Sequence, residues 1–182
     1  MRTRVRWMWI AGLLALAATP ALAAEGAHGK GSWEVTLTSD SDLAFSPSIA
    51  YYIIDNLALT VLASYSNLEL EQSGTKADVT DSSYGAGLEF DVPAGGPVVP
   101  FVSISLLYFN EKTDNAGVID ELGGPAVDVT GGVKFMVNER SSFNVLLSYM
   151  TGTLDSTTSG AADPDIDINN VAFGLGYSLY FY

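Results

Sequence analysis

The residue types that could carry out catalysis are scarce in this chain. His28 is the only histidine, so a histidine-dependent triad or metalloenzyme would have to use it. It lies in a glycine-rich segment, residues 25–31 (EGAHGKG), where nothing in the sequence fixes its geometry. A general base must be held within reach of its proton, so we expect no catalytic role for His28. Cysteine is absent, which excludes disulfides, thiolate metal sites, cysteine nucleophiles and a lipidated N-terminal cysteine.

Carboxylates are the one abundant reactive group. Asp163, Asp165 and Asp167 alternate along a short segment, and such oxygens suit a hard cation such as Ca²⁺. The segment lacks the glycine and the distal glutamate of an EF-hand loop, and Ile168 stands where that glycine would be. A solvated acidic surface is the simpler interpretation. Divalent cations that bridge this loop to anionic lipopolysaccharide are the alternative, and we expect no resident metal or other cofactor.

The N-terminus has the pattern of a secretory signal peptide. Arg2, Arg4 and Arg6 precede an apolar run over residues 7–18, and residues 21–23 (ALA) match a signal peptidase site. The alternative, a membrane anchor, would need about 20 apolar residues. We predict a signal peptide over 1–23 and a flexible tail over 24–31.

The exported chain is strongly acidic. Five bases face 21 acids after removal of the leader, a formal charge of −16. Phosphate binding needs clustered Lys and Arg, so we expect no nucleic-acid partner.

Apolar residues recur at every second position beyond residue 31, which predicts β-strands. We predict eight of them, over residues 32–39, 46–54, 57–68, 83–92, 98–109, 127–137, 142–151 and 170–182. The links after even-numbered strands are short. Those after odd-numbered strands are mostly longer and more polar, over residues 40–45, 69–82, 110–126 and 152–169. This alternation is typical of a transmembrane barrel with tight periplasmic turns and longer external loops, and it places both termini on the periplasmic side.

The two faces of the predicted strands differ in chemistry. One face is Val, Leu, Ile and Phe without charges, and the other carries Ser, Thr, Gly and the charged residues. A soluble lipocalin-like carrier would point the apolar face inward, whereas a membrane barrel points it outward. We favour the membrane because the polar face carries small residues that suit a narrow lumen: Gly85, Gly87, Gly132, Gly174 and Gly176. Aromatic residues also stand where interfacial girdles are expected: Trp33, Tyr51, Tyr65, Tyr84, Tyr108, Tyr149 and Phe181.

Two segments resemble known outer-membrane barrels. The C-terminal segment containing Gly176, Leu179 and Phe181 resembles the last-strand signal read by the barrel-assembly machinery. Residues 51–59 (YYIIDNLAL) are similar to a hairpin of small barrels of the OmpA, OmpX and OmpW kind. The resemblance implies an all-β, eight-stranded, antiparallel, up-and-down barrel over 32–182 in the cell outer membrane, but no single activity. Barrel enzymes that modify lipid A use a catalytic histidine, and no match to them is found here.

Four charges fall on the inward face. Glu34, Glu89 and Asp91 are predicted near the periplasmic half of their strands, and Lys134 at a similar depth. An unpaired buried charge is costly, so Lys134 should pair with Glu34 or Glu89. The network could be a static plug or the gate of a narrow pore, and we favour the plug because eight strands leave little room inside.

These observations predict a non-enzymatic, monomeric outer-membrane barrel with a structural or surface-interaction role. Passage of small solutes or ions through a narrow pore is a further role that the sequence allows. Its expected partners are outer-membrane lipid, lipopolysaccharide and, through the last strand, the assembly machinery. The alternatives are a lipid-modifying barrel enzyme and a soluble periplasmic carrier.

Overall fold

The computed structural model describes residues 28–40, 45–72, 75–115, 118–158 and 161–182. They form eight antiparallel strands that close into one barrel, each strand pairing with its neighbours in sequence and β1 with β8. The strands are β1 (Trp33–Asp40), β2 (Phe45–Ile54), β3 (Leu57–Gln72), β4 (Thr75–Asp91), β5 (Val98–Asn115), β6 (Val118–Asn138), β7 (Ser141–Thr158) and β8 (Ala161–Phe181). Within these described ranges, no helix is long and apolar enough to cross a membrane.

The apolar residues face outward, as predicted. In β5, Val102, Ile104 and Leu106 are about half exposed or more, whereas Ser105 between them is buried. In β8, Phe173 and Leu175 are 50% and 43% exposed, while Lys134 in β6 is 1% exposed. A closed barrel pairs every strand edge, so an apolar outer surface can lie in hydrocarbon with no unpaired backbone groups. The lipocalin-like arrangement, with its apolar face inside, is therefore wrong.

Aromatic side chains mark two levels of the outer surface. Tyr84 and Tyr108 stack with ring centroids 5.7 Å apart near one edge of the apolar band. Trp33 and Tyr51 lie 4.7 Å apart near the other. Such girdles flank the apolar band of membrane barrels.

Small residues make room inside the barrel. A Cβ on Gly132 would lie 2.6 Å from a ring carbon of Phe101 and 2.5 Å from the carbonyl oxygen of Val145. The Phe101 ring thus fills the space that glycine leaves, and the lumen is narrow at this level.

The predicted long loops are largely strand, which corrects the boundaries. The β3–β4 pairing continues to Gln72 and Thr75, β5–β6 to Asn115 and Val118, and β7–β8 to Thr158 and Ala161. Three of the four polar links, 69–82, 110–126 and 152–169, are thus mostly paired sheet beyond the apolar band. Hydrophobic alternation did not find these extensions because polar residues occur on both faces over most of their length. The link over 40–45 includes residues 41–44, which lie outside the described residues.

The two ends of the barrel differ. One, here called the hairpin end, carries these three long hairpins. The other, the short-turn end, carries the turns at 55–56, 92–97 and 139–140 and the first and last described residues. Asn56 has a φ of 64° in the first of these turns, a conformation that asparagine tolerates better than most residues.

Candidate functional site: the closed end of the lumen

Five inward side chains meet near the short-turn end, and we call them the Lys134 cluster: Glu34, Tyr52, Glu89, Asp91 and Lys134. Strand alternation places each of them inside, because each lies two or four residues from another inward residue of its own strand. Lys134 Nζ donates to Glu34 Oε2 at 2.8 Å and to Glu89 Oε1 at 2.6 Å. It also lies 3.0 Å from Asp91 Oδ1. The four charged residues predicted from the sequence therefore lie together across β1, β4 and β6.

The Tyr52 hydroxyl joins two of these carboxylates. It lies 2.8 Å from Glu34 Oε2 and 2.5 Å from Asp91 Oδ2, and its side chain is fully buried. Sequence reasoning missed this residue, although it stood on the polar face of the second predicted strand with Ser48 and Ala50. A tyrosine among small residues on an inward face is the signal that could have found it.

Tyr180 was missed in the same way. Its hydroxyl lies 3.0 Å from Ser142 Oγ and 3.3 Å from Glu34 Oε1, and its side chain is 1% exposed. It connects the cluster to β7 and β8. The cluster itself draws side chains from four strands, β1, β2, β4 and β6, and Tyr180 adds a fifth, β8.

His28 is held in place, so the expectation that nothing fixes its geometry is wrong. Its Nδ1 lies 2.7 Å from Asp91 Oδ2 and 3.0 Å from the Tyr52 hydroxyl, and the residue is 7% exposed. Its ring also packs edge-on against Tyr180, 5.2 Å between centroids. The imidazole therefore lies among inward side chains of β2, β4 and β8.

Residues 28–32 are here called the N-terminal strap, and further hydrogen bonds hold them against the barrel beside this contact. The His28 carbonyl accepts from the Asn56 amide at 2.7 Å, and the Gly31 amide donates to the Tyr52 carbonyl at 2.8 Å. Lys30 N donates to Asp55 Oδ1 at 2.8 Å. These described residues of the predicted flexible tail are packed against the short-turn end, because backbone hydrogen bonds and one buried side chain anchor them. Residues 24–27 lie outside the described residues.

The cluster has more negative than positive charge. Oxygens of Glu34, Glu89 and Asp91 all lie within 4.8 Å of one another, the only group in the described part of the chain with the spacing of metal ligands. The ammonium of Lys134 contacts all three, so the protein supplies its own cation there. The same ammonium lies 5.2 Å from the ring centroid of Phe101.

A cavity of about 500 Å³ extends from this cluster toward the hairpin end. Glu34, Glu89 and Lys134 form its base, and Ser66, Asp81 and Glu111 line its other end. About half of the residues in the wall between them are serine and threonine.

The other predicted site residues lie elsewhere. Asp165 and Asp167 are exposed on β8 rather than in a loop, and Asp167 Oδ1 accepts from Thr153 Oγ1 at 2.8 Å. Asp163 belongs to the same strand, but its side chain is outside the described residues. Cation binding by this segment stays a prediction.

The predicted assembly signal lies at the end of β8. Leu179 and Phe181 point outward and are 44% and 52% exposed, whereas Gly176 is buried inside. Recognition of this strand by an assembly machine also stays a prediction.

Comparisons with known proteins agree with the fold. The model of the outer membrane protein beta-barrel domain family matches residues 9–178. Pseudomonas aeruginosa OprG is 16% identical, with a TM-score of 0.62 over 85% of this chain and 98% of its own. Neisserial surface protein A is 19% identical, with a TM-score of 0.57 over 82% and 94%. The N-terminal barrel domain of P. aeruginosa OprF is 17% identical, with a TM-score of 0.56 over 84% and 99%. No curated protein sequence matches the chain significantly.

Proposed function

The chain belongs to the outer membrane protein beta-barrel domain family, and we propose that it is a non-enzymatic barrel closed to ions at its short-turn end. Its strands cross the outer membrane, and the short-turn end would face the periplasm. The remaining role is structural, or interaction at the cell surface through the long hairpins.

The contacts of Lys134 carry this proposal. Its ammonium is 1% exposed and reaches carboxylates on β1 and β4 from β6, so it spans the lumen. The N-terminal strap lies on the short-turn side of Lys134, where His28 Nδ1 contacts Asp91 Oδ2. An ion that passed this level would have to separate a buried, multiply hydrogen-bonded ion pair, which is costly in a low-dielectric interior.

The environment of His28 supports a non-enzymatic role. Its Nδ1 faces Asp91, as in a catalytic triad, but its Nε2 is buried and has no hydrogen-bond partner among the described residues. In a triad that second nitrogen would face the nucleophile. The His28–Asp91 pair is better explained as the anchor of the strap.

The hairpins support a surface role. β5 and β6 continue as a paired ribbon beyond the aromatic level marked by Tyr108, and three of its charged side chains, Lys112, Asp120 and Glu121, are exposed. Lys112 and Glu121, for example, form an ion pair at 3.1 Å with both side chains about half exposed. A rigid ribbon holds such groups in place toward lipopolysaccharide or a protein partner. The barrel would act as a monomer, since closure leaves no strand edge for pairing.

Planar-bilayer recording tests the closed state. We expect the native protein to show no steady conductance. Lys134→Met should create conductance, because the carboxylates would lose their shared cation, repel one another and no longer close the lumen. Lys112→Met removes the same charge from an exposed pair at the hairpin end and should leave the recording unchanged. Steady conductance of the native protein would overturn the proposal.

A narrow cation pore is the second candidate. Carboxylates line the cavity above the Lys134 cluster, and this cavity would connect the two ends of the barrel if the cluster opened. Both features favour a cation pore. In that case the native protein would conduct with preference for cations, and Lys134→Met would change the size of the conductance rather than create it.

A further inference from the structure

The lumen above the Lys134 cluster contains more negative charge than the barrel itself neutralises. Asp128, Asp81 and Glu111 line it, and Lys134 is the one base among its described lining residues. Lys134 is already shared by three carboxylates. The upper carboxylates therefore have no cationic partner among the described residues that line the lumen.

Two of these carboxylates face each other directly. Asp81 on β4 is the cross-strand partner of Glu111 on β5, and both point into the lumen at its hairpin end. Like charges in this position destabilise a sheet. Burial and the charge of Asp81 raise the pKa of Glu111. Ser66 Oγ donates to Asp81 Oδ2 at 3.1 Å, but Asp81 Oδ1 is buried and has no hydrogen-bond partner within the described ranges.

A second buried acceptor faces the same cavity. Thr60 is 6% exposed and lines the cavity, and its hydroxyl has no hydrogen-bond partner in the part of the chain that the structure describes. A buried polar atom without a partner destabilises the fold. Thr60 and Asp81 thus offer acceptors that a ligand with N–H donors could satisfy.

The spacing of the acceptors excludes a compact metal site in the upper lumen. A bound metal needs several oxygens within a few ångströms, and the one described group with that spacing is filled by Lys134. Thr60 is the cross-strand partner of Gly87, which lies six residues from Asp81 on β4, roughly 20 Å along the strand. Acceptors spread over such a length suit a ligand that carries several separated donors. Leucines at 62, 107 and 146 interrupt the polar wall and could contact hydrocarbon between those donors.

We propose that the lumen binds a linear polyamine, an unbranched aliphatic chain with several ammonium groups, which enters from the hairpin end. The ammonium groups would bind near the Asp81–Glu111 pair, Asp128 and the Thr60 hydroxyl. The methylene segments would lie against the leucines. The Lys134 cluster would close the far end, so the protein would hold the polyamine without passing it.

Isothermal titration calorimetry with spermidine tests this on the folded barrel in a neutral detergent. Asp81→Asn combined with Asp128→Asn should weaken binding about tenfold or more, since charge-assisted hydrogen bonds are lost. The matched control, Asp165→Asn combined with Asp167→Asn, makes the same charge change at exposed positions of β8 and should leave the affinity within about twofold of native. Tryptophan fluorescence confirms that each variant is folded.

Thr60→Val gives an independent reading. It removes the unpartnered hydroxyl, so it should weaken spermidine binding while leaving the ligand-free barrel at least as stable toward urea. Magnesium chloride should compete no better than sodium chloride of equal ionic strength. Equal losses in the lumen and control double variants, native affinity in both lumen variants, or efficient displacement by magnesium would each overturn the proposal.

Discussion

At the scale of single residues, the barrel depends on buried charges that satisfy one another. Lys134 is enclosed by three carboxylates, and replacing one member of such a group leaves an uncompensated charge, which typically costs about 3–5 kcal/mol. An apolar side chain of similar size would be tolerated only if the carboxylates changed with it. The charges of the cluster are therefore interdependent.

The hydroxyl of Tyr52 is one such dependent group. Tyr52→Phe keeps the ring but removes the atom between Glu34 and Asp91, so we expect a loss of about 1–3 kcal/mol in the free energy of unfolding. Tyr51→Phe is the matched control, because the neighbouring tyrosine points outward against Trp33. Urea unfolding in lipid vesicles measures both. Equal effects of the two substitutions would show that the inward hydroxyl stabilises the barrel no more than the outward one does.

At the scale of elements, the stability of the hairpins depends on pH because two carboxylates face each other there. Burial and the charge of Asp81 raise the pKa of Glu111 above its ordinary value. A carboxyl whose pKa is higher in the folded than in the unfolded state destabilises the fold above that raised pKa. This penalty disappears as the pH falls through the raised pKa toward the unfolded value.

We therefore expect the β4–β5 extension to become more stable as the pH falls from neutrality into the range in which Glu111 takes up its proton. Glu111→Gln should raise protection of this extension at neutral pH and reduce its pH dependence. Amide hydrogen exchange at residues 110–115 measures it. Glu121→Gln, on the exposed face, should not reproduce the change, and an identical response of both variants would contradict the prediction.

At the scale of the whole molecule, one orientation of the sheet explains both the composition and the membrane location. Ile104 points outward in the apolar band and is 52% exposed. Arginine in the middle of such a band costs about 2–4 kcal/mol, and the cost falls near the interfaces. Ile104→Arg should thus lower the stability in lipid vesicles by about that amount.

Val118→Arg is the control for this substitution. Val118 is similarly exposed, 47%, but lies at the tip of the β5–β6 hairpin, outside the band. Its replacement should cost less than about 0.5 kcal/mol, as exposed substitutions usually do. Urea unfolding of both variants in the same vesicles measures the two losses in the free energy of unfolding. Equal losses would mean that Ile104 does not lie in the apolar band.

The sequence by itself determined the strand count, the barrel and the side of the sheet that meets lipid. Alternation has a period of two, so residues such as Val102 and Ser103 must lie on opposite faces wherever a strand forms. Charged residues occur on only one of the two faces, and this indicates which face is the interior of the barrel. The same rule placed Glu34, Glu89, Asp91 and Lys134 inside, and their positions along the predicted strands placed them at similar depth.

Only the tertiary structure decided how far the strands extend and what meets across the lumen. The hairpin extensions have polar residues on both faces, so alternation carries no signal there. Their length depends on cross-strand pairing such as that of Gln72 with Thr75. His28, Tyr52 and Tyr180 meet the charges because barrel closure brings β1, β2, β4 and β8 around one axis. Contacts between residues so distant in sequence have no local pattern from which they could be inferred.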